Sequence, residues 1–272
     1  MNKITLSLAQ MHIELGNSEA NFEQAAHWIS EAAGRGSDLV LLPELWSTGY
    51  DLENWGQHAT PIGEGLFPRV AALAKEYRLS VGGSLLEAKD GRAYNTFVLY
   101  DRNGNLVGKY SKIHLFRLMD EHHWLAPGEE MGAGQLTPTS NTQEAAPVQV
   151  GMGICYDLRF PELWRSYALS GIPLALLPAE WPAARVYHWR TLLRARAIEN
   201  QMFVAATNNV GVTKNETFGG HSAVIDPWGE VLAEGSDQEE LLTTEIDLQK
   251  ADEVRNRIPV FEDRRPEIYD FR

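Results

Sequence analysis

A single α/β domain is the fold class that the sequence predicts, and three observations point to it. Helix-like and strand-like segments alternate from end to end. No Ser/Gly linker, charge block or low-complexity tract interrupts them, so residues 1–272 are assigned to one domain whose last stretch, 250–272, forms a tail. The second half also carries a loose echo of the first. Leu174–Glu180 (LALLPAE) resembles Leu39–Glu44 (LVLLPE), and the turn Asp226–Gly229 (DPWG) resembles Asp101–Gly104 (DRNG). Two similar strand-then-site units facing each other across a pair of packed sheets would give this pattern, with chance similarity among apolar strands as the alternative.

The elements follow in order. Ile4–Gln10 alternates like a strand, and Glu19–Arg35 has the apolar spacing of an amphipathic helix. Asp38–Leu42 (DLVLL) is continuously apolar after its first residue, the pattern of a strand covered on both faces, and it runs into Pro43-Glu44. Gly65–Tyr77 reads as a helix, Ser80–Leu86 as a strand, and Tyr94–Tyr110 as a hairpin turning at Asp101–Gly104. Pro147–Ile154 reads as a strand in which Gly151 and Gly153 free one face for close approach of another layer. The chain then turns through Tyr156–Phe160 into a helix with Pro161 in its first turn, and Ala183–Gln201 forms a long helical stretch.

Composition narrows the function. Hydrophobic residues make up 44% and charged residues 22%, an ordinary globular balance without room for long disorder. The net charge of −13 repels phosphate backbones and anionic lipid, so nucleic acid and membrane are not expected partners. The first residues lack a long apolar h-region, no apolar run approaches a membrane span, and one cysteine cannot form an internal disulfide; cytoplasm is the expected compartment.

That cysteine, Cys155, admits three readings: buried apolar filler, metal ligand or nucleophile. The metal reading is weak, because the eight histidines are scattered and the adjacent pair, His122 and His123, is poorly spaced to share an ion. Its place at a strand-to-helix corner suits a nucleophile without excluding the filler reading: a thiol there meets substrate, lies near backbone N–H donors and has its thiolate favoured by the helix N-terminus. A nucleophile needs a base and a charge stabiliser. Glu44, at the rim of the buried strand, is the leading base, with a helix cap or surface charge as the alternative. Lys112, after the Val107–Ser111 strand, is the leading cation, unless it is a solvated strand-end lysine. Glu121, in MDEHHWLAPG, is ambiguous by itself.

Taken together, three segments are similar to the motifs of the nitrilase superfamily of carbon–nitrogen hydrolases: LLPELWSTGY (Leu41–Tyr50), GKYSKIHLF (Gly108–Phe116) and GMGICYDLRFPEL (Gly151–Leu163), in family order and at family-like spacing. The resemblance continues through His188–Gly211 and Phe218–Gly235. It implies a four-layer α-β-β-α sandwich of two packed mixed sheets with pseudo-twofold symmetry, commonly paired into dimers. It further implies a Glu-Lys-Cys triad: Cys155 as nucleophile, Glu44 as general base and later acid, and Lys112 with the Tyr156 backbone N–H receiving the oxyanion. Glu121 would be a second glutamate that orients Lys112 and substrate. The implied reaction hydrolyses an amide to a carboxylic acid and ammonia through a thioester, with no cofactor and no metal.

LLPAEWPAARVYHW (Leu176–Trp189) looks like the omega-amidase-like, small-amide branch, with an N-carbamoyl compound or a nitrile as alternative substrates. Tyr50, Phe116 and Trp181 are either pocket walls or core packing. Arg159 and Arg185 either hold a substrate carboxylate or sit in structural ion pairs. A serine hydrolase is disfavoured because Gly220–Val224 lacks the second glycine of a nucleophile elbow, and a nucleotide-using ligase because no phosphate-binding loop is present. A non-catalytic binding module on the same fold is the alternative from another class. The tail's Ile258, Val260, Phe261, Ile268, Tyr269 and Phe271 are expected to seal a homodimer or higher oligomer, or else to dock on the parent domain.

Overall fold

Residues 3–138 and 147–269 are described by a computed structural model, and Phe271 of the tail lies outside them. The first part of the chain runs β1 (Lys3–Gln10), α1 (Ser18–Gly34), β2 (Leu39–Leu41), α2 (Trp55–His58), α3 (Leu66–Tyr77), β3 (Ser80–Lys89), β4 (Arg92–Tyr100), β5 (Leu106–Ser111) and α4 (Glu121–Trp124). The second runs β6 (Ala133–Leu136), β7 (Val148–Met152), α5 (Pro161–Leu169), β8 (Leu174–Ala179), α6 (Val186–Asn200) and β9 (Phe203–Asn208). It closes with β10 (Val210–Thr213), β11 (Glu216–Gly219), β12 (Ala223–Ile225), β13 (Val231–Glu234), β14 (Glu240–Asp247) and α7 (Gln249–Arg257).

Twelve strands form one ladder in the order β13-β12-β9-β8-β7-β6-β5-β4-β3-β2-β1-β14, while β10 and β11 make a separate ribbon. The ladder has two halves that repeat the same pairing. From β14 to β5 the neighbours are antiparallel, parallel, parallel, antiparallel, antiparallel, and from β6 through β7, β8, β9 and β12 to β13 the series is identical. The echo in the sequence therefore marks equivalent positions: β2 corresponds to β8, and the β4–β5 turn to the β12–β13 turn. In both turns the aspartate folds the loop locally, Asp101 accepting from the Asn103 and Asn105 amides and Asp226 from those of Trp228 and Glu230.

The two packed sheets are joined edge to edge in the ladder by a single pairing, Gly108 opposite Gly134. Only glycine fits there, because a β-carbon on Gly108 would lie 2.7 Å from the Gly134 Cα. The halves pack face to face. Leu6, Leu8, Leu39, Leu41 and Phe97 from one meet Val150, Met152, Leu176, Val204 and Ala206 from the other in a common core. Val40 and Leu42 point the opposite way, into a second core under α1 and α3. Burial on both sides explains the continuous apolar run of β2. On the far face α5 lies against β7, and the absent side chains of Gly151 and Gly153 make room for the rings of Tyr167 and Trp164. The layers are thus helix, sheet, sheet, helix.

Within the tail, Phe261 docks on the core beneath Arg165 and Arg255, whose guanidinium carbons stand 5.2 and 5.6 Å from its ring centre. Ile258, Ile268 and Tyr269 remain exposed. Among the described residues no helix is long and apolar enough to cross a membrane.

Candidate active site

The ends of β2, β5, β7 and β8 converge at one end of the interior, and each delivers one side chain or backbone group to the same place. β2 ends at Leu41, and Glu44, fully buried, follows Pro43 just beyond it. Its Oε1 accepts from Lys112 Nζ (2.7 Å) and Asn95 Nδ2 (2.8 Å), and its Oε2 from the Glu180 backbone N–H (2.9 Å). Lys112, the first residue past β5, donates also to Glu121 Oε1 at 2.5 Å. Glu121 accepts in turn from the Tyr50 hydroxyl (2.6 Å) and the Phe116 amide (2.8 Å). An ammonium has three protons, so one Lys112 donor remains for another acceptor.

Cys155 lies across from this cluster, 4% exposed, with its Sγ 3.8 Å from the Glu180 carbonyl oxygen. Its backbone is in the left-handed region, φ +44°, where a side chain is strained; such strain is characteristic of sharp turns at functional sites. Asp157 holds the turn. It accepts from the Ile154 amide (2.9 Å), the Tyr110 hydroxyl (2.8 Å) and the His114 amide (3.2 Å), and it pairs with His114 Nδ1 (2.7 Å). One buried carboxylate thereby ties the lysine loop to the cysteine turn. The Tyr156 amide belongs to the first turn of the short 3₁₀ helix Cys155–Arg159, next to the thiol.

Burial works to lower the Lys112 pKa, but Glu121 and Glu44 outweigh it and hold the ammonium well above its ordinary value. Burial and then the charge of Glu44 push the Cys155 thiol well up, with Lys112 opposing. The expected preference for thiolate at the helix start is therefore not met: in this enclosed place desolvation and a facing carboxylate outweigh a partial helix charge. Glu121 is also pushed up, by burial, with Lys112 pulling down and Glu44 adding to the rise.

Above the thiol lies a tight cleft with about 10 Å³ of free volume, bounded by Phe116, Tyr156, Arg159, Glu180, Trp181 and Arg185. Phe116, Arg159, Trp181 and Arg185, for which the sequence allowed either pocket or structural roles, thus come together over Cys155. The Arg159 guanidinium lies 4.8 Å from the Trp181 ring centre, and that of Arg185 lies 5.6 Å from Phe116. Arg159 Nη2 lies 3.3 Å from His188 Nδ1, and neither arginine pairs with a carboxylate among the described residues. Tyr50 is not in this cleft. It borders a second, wider one with Leu118, Glu180, Thr213 and Phe218, while its hydroxyl serves Glu121.

Sequence reading missed Asn95, Asp157 and Glu180. A polar residue amid apolar strand positions, as in Asn95 of YNTFVL, is the signal that was available for the first. Asp120, His122 and His123, at the chain surface, bring one ligand atom each within 4.8 Å of the others, outside the thiol's cleft.

The carbon-nitrogen hydrolase family model matches residues 5–256. A 2-oxoglutaramate amidase of Bacillus subtilis is 42% identical over 268 residues, 98% of this chain and 100% of the relative. Human omega-amidase NIT2 is 35% identical over 283 residues, covering 99% and 98% of the two chains. Among solved structures, a CN-hydrolase superfamily protein from Xanthomonas campestris with an arsenic adduct in its active site superposes with a TM-score of 0.88 at 32% identity, covering 97% and 98%.

Proposed function

The chain belongs to the carbon–nitrogen hydrolase family and is an amidase, and from that premise we propose that its substrate is the ω-amide of a short dicarboxylic acid, cleaved by Cys155. What supports the substrate reading is the pair of half-buried arginines, Arg159 and Arg185, without acidic partners among the described residues of a chain with net charge −13. A guanidinium kept in a cleft without a carboxylate suits one that arrives with the ligand. The names of the relatives in Bacillus subtilis and in human agree with it.

In this reading the amide carbon rests on Cys155 Sγ. Glu44 takes the thiol proton as sulfur attacks, and the carbonyl electron pair moves onto oxygen, met by the third proton of Lys112 and by the Tyr156 N–H. Because the thiol is held un-ionised at rest, proton transfer accompanies attack rather than preceding it. Protonated Glu44 gives its proton to nitrogen, the C–N bond breaks and ammonia leaves a thioester. Glu44 then deprotonates a water that attacks the thioester, and the departing sulfur recovers a proton. Glu121, held by Tyr50 and Phe116, keeps Lys112 aimed.

Ammonia release from ω-amides, neutral short amides, N-carbamoyl compounds and nitriles tests the reading, with Cys155→Ala as blank. Arg159→Gln and Arg185→Gln should each lower kcat/KM for the ω-amide by about 10- to 100-fold and leave the neutral amide within about 3-fold. Equal losses on both substrates would remove the carboxylate role. We also propose the cytoplasm as its compartment, on the strength of its lone thiol, and a homodimer sealed by the tail, whose Ile258 and Ile268 are exposed.

A further inference from the structure

Three histidines of this chain pair with one carboxylate each: His58 with Asp51, His114 with Asp157 and His221 with Glu234. Another cluster is richer. Asp120, His122 and His123 bring one ligand atom each to within 4.8 Å of one another, the only such triple of His, Cys, Asp or Glu side chains among the described residues. Adjacent residues on a regular helix do not face each other, which is why the sequence spoke against a shared ion. Here the pair lies in the single turn of α4, and the two ring centres approach to 3.9 Å. Asp120 precedes that turn in the left-handed region, φ +58°, and its carbonyl accepts from the His123 amide (2.9 Å), which folds its carboxylate back toward the rings.

All three side chains are exposed, and none is committed to a hydrogen bond or ion pair elsewhere among the described residues. Two imidazoles and a carboxylate are a donor set for a borderline divalent cation such as Zn²⁺, whereas calcium and magnesium take oxygen ligands. A tetrahedral ion with bonds of about 2.0–2.1 Å needs its ligand atoms about 3.3 Å apart, so binding would draw these three inward by up to about 1.5 Å, with water in the fourth position. The residue enclosed by the triple is Glu121. Its carboxylate is fully buried, accepts from Lys112 Nζ (2.5 Å) and from the amide of Phe116 (2.8 Å), and Phe116 in turn borders the thiol's cleft. Tightening Asp120–His123 therefore acts on the backbone that aims Glu121 at the lysine.

We propose that Asp120, His122 and His123 form a surface site for one divalent cation of the zinc class, and that its occupation slows turnover by shifting Glu121 against Lys112. The ion takes no part in the reaction steps, which Cys155, Glu44 and Lys112 carry out alone. A net charge of −13 draws cations to the chain in general, but the triple is what distinguishes one place on it. The inference does not depend on which amide is the substrate.

The test titrates Zn²⁺ by calorimetry into the full chain without an affinity tag, carrying Cys155→Ala so that the thiol cannot compete. One site is expected. Adding His122→Ala, His123→Ala or Asp120→Asn should each weaken it by at least about 10-fold, since substitutions one layer further out already cost that much; asparagine tolerates the left-handed backbone of position 120. With Cys155 intact, saturating Zn²⁺ should lower kcat by about 10- to 100-fold at little-changed KM on any amide the enzyme cleaves, and a chelator should restore it. His122→Ala and His123→Ala should turn over like the native enzyme without Zn²⁺ and escape that inhibition. No binding to the Cys155→Ala chain, or equal binding in all three variants, would overturn the site. Inhibition of the same depth at the same Zn²⁺ concentration in His122→Ala would assign the effect to the thiol and overturn the link through Glu121, as would undiminished turnover with the site filled.

Discussion

Lys112 neutralises two buried carboxylates with one charge, and the proton on Cys155 is governed by how that balance falls. Glu44 raises the thiol's pKa and Lys112 lowers it. Replacing Glu44 with Gln removes the first influence and frees the second, so the thiolate absorbance of Glu44→Gln, read against Cys155→Ala, should titrate at lower pH than in the native protein. The more ionised thiol would nevertheless be the poorer catalyst, with kcat down by about 100- to 10,000-fold for want of a proton acceptor and donor. The same shift bears on stability. The folded thiol binds its proton more tightly than the unfolded one, so the stability it contributes is complete below the ordinary thiol value of about 8.5 and declines as pH rises beyond it. Urea midpoints of the native protein and Cys155→Ala should therefore converge or cross between about pH 8 and 10, the native protein losing more. Glu44, Lys112 and Cys155 each follow a recognisable strand, but that position left alternatives open for all three, and the resemblance of their three motifs to those of carbon–nitrogen hydrolases is what singled them out. Glu180 was not legible: a glutamate after an apolar run also suits a helix cap or the surface, and only the closed sandwich shows that both sides are covered. The Tyr50–Glu121 bond was hidden for a related reason, since 71 residues separate the pair.

At the scale of elements, the cysteine turn is clamped between β7 and α5. Trp164 of α5 donates from Nε1 to the Asp157 carbonyl (3.0 Å), while its ring fills the space left by Gly153. A β-carbon on Gly153 would come within 2.5 Å of that ring. Gly153→Ala should thus lower stability by about 1–3 kcal/mol in urea unfolding, and kcat by about 100-fold if the turn moves by an ångström. Activity lost without stability, or neither lost, would contradict the clamp. Sequence periodicity found β1, β2, β3, β7 and β8 but not β6 or the β10–β11 ribbon. Those strands are four residues long, too short to establish a period, and AGQL of β6 holds its place through the glycine junction rather than a hydrophobic stripe.

Across the whole molecule, the ladder runs unbroken through the Gly108–Gly134 junction, and β14 returns late in the chain to pair with β1. Neither half can open without tearing the ladder, so we propose that the chain folds as one unit. Calorimetry should then give one transition whose calorimetric and van't Hoff enthalpies agree. Equilibrium sedimentation at micromolar concentration should find twice the 30.4 kDa chain mass, and a species of chain mass alone would remove the homodimer. The two halves also divide the chemistry between them. Glu44, Asn95, Lys112 and Glu121 belong to the first, Cys155 and Glu180 to the second. In the proposed mechanism a proton moving from sulfur to carboxylate would therefore cross a seam, and the length of that crossing would depend on how the two sheets mate. Turnover becomes a gauge of the seam: hydrostatic pressure or warming that loosens the interior would register in the rate while the ladder itself still looks whole.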